Sequence, residues 1–135
     1  MTPMTDPRDT AMRALRRMLA NGLLTAMPKR PADQEILLVL AASRFGAGDT
    51  YSESDVNERL KDWLATISEP FGIDHVTLRR CLVDARVLAR TKAGSTYRLN
   101  AERMGEIDAL RDIDPVRVLS DLRGERELRK RERAA

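Results

Sequence analysis

Among 135 residues there is one cysteine, Cys81, and one histidine, His75. That pair excludes an intramolecular disulfide framework and a Cys/His zinc cage, and implies a reducing compartment. No Gly-rich phosphate loop, Ser/His/Asp set or carboxylate dyad of catalytic spacing occurs in the chain, so neither an enzymatic reaction nor a cofactor or metal is expected. No stretch approaches the roughly 18 apolar residues of a membrane span. Residues 1–17 carry aspartates and arginines where a secretory signal needs an apolar run. The expectation is a soluble, unprocessed, cytoplasmic chain with no membrane partner. Charge of one sign is missing too: 24 Lys and Arg stand against 21 Asp and Glu, a net +3. Any attraction for a polyanion must then come from how the arginines are distributed, because so small a net charge steers weakly at physiological salt.

What is present is enough apolar side chain, 42% of residues, for one domain with a core and extensions at both ends. Asp6-Pro7 reads as a helix start, and Met12, Leu15, Met18 and Leu19 then recur on one face until Asn21-Gly22. Pro28 and Pro31 bracket the basic pair Lys29-Arg30. The run 36–42 reads as an apolar helix ending at Phe45-Gly46. A buried strand is the competing reading, and Asp33 and Glu35 ahead of the run favour helix. Ser52 and Asp55 form a loose capping box, after which Val56, Leu60, Trp63, Leu64 and Ile67 fall on one helical stripe. Pro70 and Gly72 break the chain, and Asp74 caps a second helix from 75 to about 85 that buries Leu78, Cys81, Leu82 and Ala85. Residues 87–91 and 96–99 have strand character and flank a Lys-Ala-Gly-Ser turn. Asn100 caps a further helix with Met104, Ile107 and Leu110, and Asp114-Pro115 opens the last one, with Val118, Leu119 and Leu122.

Two capped helices followed by a hairpin outline a winged helix, so the fold expected is mainly α and winged-helix-like, with helical extensions. In that arrangement the second helix enters the major groove, and the hairpin and helix start touch phosphates. The residues available to meet DNA are His75, Thr77, Arg79, Arg80 and Arg86 from the helix, and Arg90, Lys92 and Arg98 from the wing. Arginine suits this because its planar fork grips a guanine edge or a phosphate with two hydrogen bonds. A structural role competes for the same side chains. Glu53 and Asn57 sit at the margin of their apolar stripe, where a half-buried acid needs a cation, and Arg79 or Arg80 could be it. Asp84 is four residues after Arg80 and can pair with it, which makes Glu53, Asn57 and Asp84 a candidate polar network. Val76 and Val83 interrupt the outward face. They either touch thymine methyls or are covered by protein, and covering is the commoner fate of apolar side chains.

The remaining chemistry-bearing residues read as ordinary. His75 has no second histidine to work with, Cys81 behaves as a small hydrophobe, and Trp63 shares a face with core leucines rather than offering a base-stacking platform. From 123 to 133 the tail has six basic residues against three acids, with Glu125/Arg129 and Glu127/Arg131 in the favourable four-residue order. A solvated helix laced by ion pairs is the plain reading, and a nucleic-acid arm the alternative. Val118, Leu119 and Leu122 are too few for a core of their own and are expected to support a homodimer through the terminal helices.

Tyr51-Ser52-Glu53 with Val56-Asn57, then Leu78-Arg79-Arg80 with Leu82-Val83-Asp84, then Leu88, Arg90 and Gly94-Ser95-x-Tyr97 carry a resemblance. Over roughly 27–99 the chain resembles a bacterial family known as domain of unknown function number two-thousand-eighty-seven. The resemblance implies an association with transcription regulators, alone or fused to helix-turn-helix modules, and no established activity. The connection 67–73, with Pro70 and Phe71, makes for a loose turn between the two motif helices. Residues 1–26 and 100–135 lie outside the match and read as helical extensions of a domain spanning 27–99. The expected function is a DNA-binding transcriptional regulator. The alternative is an adaptor docking an acidic partner through the basic second helix, since fold alone does not fix function.

Overall fold

Asp6 accepts the amide of Arg8 at 3.0 Å just ahead of Pro7, and this cap starts α1 (Pro7–Met18) in the computed structural model, which describes residues 6–91 and 96–134. Ala11, Ala14, Leu15 and Leu19 are buried against α2 (Pro31–Ala42) and its neighbours. The apolar run is a helix, as expected, but it begins at Pro31 rather than Ile36. Proline at the first helical position needs no amide partner, and Asp33 in the first turn is itself buried, paired with Arg17 of α1. Leu37 to Ala42 are buried without a break, the pattern of a helix enclosed on all sides.

β1 (Tyr51–Ser52) leads directly into α3 (Glu53–Ile67). The capping box is formed in both directions: the Asp55 amide donates to Ser52 Oγ at 3.0 Å, and the Ser52 amide to Asp55 Oδ2 at 3.4 Å. All five residues of the α3 stripe are buried. α4 (His75–Asp84), β2 (Leu88–Arg90) and β3 (Thr96–Leu99) follow, then a 3-10 turn (Ala101–Arg103), α5 (Met104–Ala109) and α6 (Pro115–Ala134). The strands form an antiparallel sheet in the order β1-β3-β2, with Tyr51 opposite Tyr97 and Leu88 opposite Leu99. β1 was not foreseen. Two residues adjoining a helix cap carry no strand periodicity, and their partner lies far along the chain.

The turn between α3 and α4 is pinned rather than loose. Leu24, on the strand-like segment after α1, donates to Ile67 O and accepts from the Glu69 amide, both at 2.8 Å. The buried Ser68 hydroxyl accepts the Ile73 amide at 3.0 Å, and a Cβ on Gly72 would lie 2.7 Å from Leu24 O. Only glycine allows so close an approach.

The terminal helices share the core of the central region. Ile107, Leu110, Ile113 and Val118 are buried in it, and Leu119 and Leu122 pack against it. The apolar strip expected to face a second chain is therefore occupied within the chain itself. Arg111 Nη1 donates to Ser43 O at 3.0 Å and Phe45 O at 2.9 Å, satisfying carbonyls just past the C-terminus of α2. Arg16 bonds both oxygens of Glu125 at 2.7 and 2.8 Å, and Arg126 reaches Ala20 O at 2.6 Å, which ties α6 to α1. Glu125 is thus drawn across to α1 instead of along α6 to Arg129, and Glu127 lies 3.8 Å from Lys130 rather than pairing with Arg131. The molecule is mainly helical with a small three-stranded antiparallel sheet, and among the described residues no helix is long and apolar enough to cross a membrane.

Candidate nucleic-acid interface

Asp74 caps α4 by accepting the Thr77 amide at 3.1 Å, and the helix buries Leu78 and Leu82 while Cys81 and Ala85 pack partly against the core. Helical spacing then sends Thr77, Arg80 and Asp84 outward, and all three are exposed. Val83 and Val76 are both partly buried, Val83 packing against the core. His75 is only 25% exposed, with Nδ1 3.7 Å from Asp74 Oδ1.

Arg79 is not on the outward face. Its side chain is 14% exposed, donates to Asn57 Oδ1, and lies 3.4 Å from Glu53 Oε1. The Tyr97 hydroxyl donates to the same Glu53 oxygen at 3.2 Å, and the Arg90 guanidinium lies 5.9 Å from the centre of the Tyr97 ring. Arg79, not Arg80, is therefore the cation beside Glu53, with the Asn57 amide oxygen as a second acceptor, and the cluster joins the start of α3 to α4, β3 and β2. Tyr97 was missed as a member because its hydroxyl reaches Glu53 only through strand pairing. Asp84 lies outside this network: among the described residues its carboxylate has no ion pair or side-chain hydrogen bond, to Arg80 or to any other group. The expected Arg80–Asp84 pair is absent, and the carboxylate shares the exposed face with Arg80.

The end of α4 carries a feature with no sequence signal. Arg86 has φ of 60°, in the left-handed region normally given to glycine, while its own amide bonds Val83 O at 3.0 Å and the next amide, Val87, bonds Leu82 O at 2.9 Å. This is a Schellman termination with arginine in the glycine position. Two residues beyond the central motif hold it: Asn100 Nδ2 donates to Arg86 O at 2.7 Å, and Arg103 Nη1 donates to Ala85 O at 2.8 Å while also pairing with Glu35 and Glu106. The Arg86 side chain is left exposed.

On the hairpin, strand alternation separates two expected partners. Arg98 lies opposite Ala89 on the outward face of the sheet, whereas Arg90 shares the face of Leu88, Tyr97 and Leu99. The two arginines therefore do not form a single strip. Lys92, with the turn residues that follow it, lies outside the described residues. The structure leaves Thr77, Arg80, Arg86, Arg90 and Arg98 exposed and, among the described residues, without ion-pair partners for the four arginines, Arg90 lying over the Tyr97 ring; Arg79 belongs to the scaffold.

Residues 23–99, more than half of the chain, match the family model described as "Uncharacterized protein conserved in bacteria (DUF2087)", and the chain belongs to that family. The match starts upstream of the expected residue 27 and so takes in Leu24, the backbone clamp on the α3–α4 turn. No curated protein and no solved structure matches the chain.

Proposed function

We propose that α2 to β3 form a winged helix whose second motif helix, α4, binds duplex DNA, and that the protein acts in transcription regulation. The observation that carries this reading is the succession helix, short strand, helix, helix, hairpin, with the short strand pairing on the far side of the hairpin from β2. In this arrangement α4 is the helix offered to the major groove. Arg80 and Thr77 occupy its outward face, with Arg86 at its end and Arg98 on the sheet. Arg79 is a positioning residue that fixes α4 against α3. No catalytic step forms part of the proposal.

Fluorescence anisotropy with a duplex from the protein's own promoter region tests it. Binding should weaken as salt rises, with a log-log slope of about 0.9 per neutralised phosphate. Arg86→Ala should lower that slope. Arg80→Ala should relax preference at one base pair and cost about 1 to 3 kcal/mol. Parent and variants that bind equally at every salt concentration would remove DNA from the account. The second reading, an adaptor for an acidic partner, draws on the inward turn of Arg79 onto Glu53, which leaves fewer arginines on the outward face of α4 than a base-reading helix would present.

A further inference from the structure

The end of α6 carries a net positive charge that the rest of the molecule lacks. Residues 129–133 hold four of the 24 basic residues and one of the 21 acids, a net +3 that equals the charge of the whole chain. The acids that helical spacing offers to these cations are engaged elsewhere: Arg16 of α1 holds Glu125, and Glu127 lies 3.8 Å from Lys130. Arg129, Arg131 and Arg133 therefore have no ion-pair partner among the described residues. The helix leading to them is fixed, because Leu119 and Leu122 pack on the core and Arg126 donates to Ala20 O at 2.6 Å. Beyond Arg126 every described residue is exposed, and no hydrogen bond or ion pair among the described residues joins this part of α6 to another element. A helix already formed loses little backbone freedom when a partner binds.

The charge is also gathered on one side. At about 100° per residue, Arg123, Arg126, Arg129, Lys130 and Arg133 fall within an arc of roughly 120°, while Glu125, Glu127 and Glu132 fall outside it, as does Arg131. This stripe is about 15 Å long, a length over which one strand of duplex DNA presents about four phosphates. The cations of the stripe not tied to α1, namely Arg123, Arg129, Lys130 and Arg133, match them in number. Leu128 is the one large apolar side chain from 123 to 134, too little to insert into a lipid surface. We infer that this stripe of α6 lies along the phosphate backbone of duplex DNA, a contact additional to that of α4 which supplies affinity and no sequence preference. The contact rests on the DNA reading given above and adds to it residues outside the family match.

Salt titrations of the full chain on the promoter duplex and on a shuffled duplex of equal length test it. The triple variant Arg129→Gln, Lys130→Gln, Arg133→Gln should lower the log-log salt slope by about 2.7, or 0.9 for each phosphate released. The loss should be equal on both duplexes, with the ratio of the two affinities unchanged. Glutamine has a helix propensity close to that of lysine and arginine, so the circular dichroism should not change. Arg131→Gln, off the stripe, should keep the parent's slope. If the triple variant keeps it too, the α6 contact is overturned and the reading of α4 stands. A slope lowered as much per charge by Arg131→Gln reveals a diffuse charge effect and also overturns the stripe. Conversely, a triple variant that loses slope while Arg80→Ala keeps the parent's preference upholds the α6 contact and overturns base reading by α4. A parent that binds neither duplex overturns both, and one that instead binds vesicles containing phosphatidylserine through the same three residues assigns the stripe to a membrane.

Discussion

Arg79 and Arg80 stand about 100° apart around the α4 axis. This angle sends one guanidinium to Glu53 and Asn57 and leaves the other in solvent. The two arginines should therefore respond differently to truncation. Arg79→Ala leaves the Asn57 amide oxygen without its donor and Glu53 without its cation, and a loss of about 2 kcal/mol in urea denaturation is expected. Glu53 is 48% exposed and can be resolvated, so Glu53→Ala should cost only about 1 kcal/mol. Arg80→Ala should leave the midpoint within about 0.5 kcal/mol of the parent. The double variant at 53 and 79 measures the coupling, and fully additive losses would show that the pair contributes nothing jointly.

At the scale of elements, the end of α4 stores backbone strain at an exposed cation. A non-glycine residue in the left-handed region costs about 1 kcal/mol or somewhat more, a cost that glycine avoids. Arg86→Gly should therefore leave stability unchanged or raise it by up to about 1 kcal/mol, read as an increase in Tm. On the DNA reading the same variant should bind duplex more weakly. A variant that gains stability and keeps full affinity would make Arg86 an accident of sequence rather than a contact. The clamp on this turn comes from Asn100 and Arg103, just beyond the family match, so the presentation of α4 depends on residues outside the motif.

At the scale of the whole molecule, the flanking helices complete the core rather than decorate it. Chains ending at Leu99 would lose Ile107, Leu110, Ile113 and Val118 from the buried cluster, along with the Arg103 and Arg111 caps. Removing four buried aliphatic side chains at roughly 1.5 to 3 kcal/mol each takes away an amount comparable to the whole usual stability of a domain, about 5 to 15 kcal/mol. Such chains should show no cooperative thermal transition and should bind a hydrophobic dye. A sharp transition near that of the full chain would establish residues 1–99 as self-sufficient.

Caps and stripes were legible in the sequence because they are local: Asp6, Ser52 with Asp55, Asp74, Asn100 and Asp114 all bond amides within three residues, and the α3 stripe follows from helical period alone. That Glu53 and Asn57 would meet an arginine of α4 was legible too, from their place at the edge of an apolar stripe, although Glu53 itself stays exposed. Which arginine answers it was decided only when α4 docked on α3. Tertiary structure likewise made Tyr51 and Ser52 a strand, pinned the α3–α4 turn through Leu24, placed Arg90 and Arg98 on opposite sheet faces, and covered Val118 from within the chain. Periodicity and capping are written into neighbouring residues, whereas the partner of a carboxylate, a strand edge or an apolar strip is set by packing between segments distant in the chain.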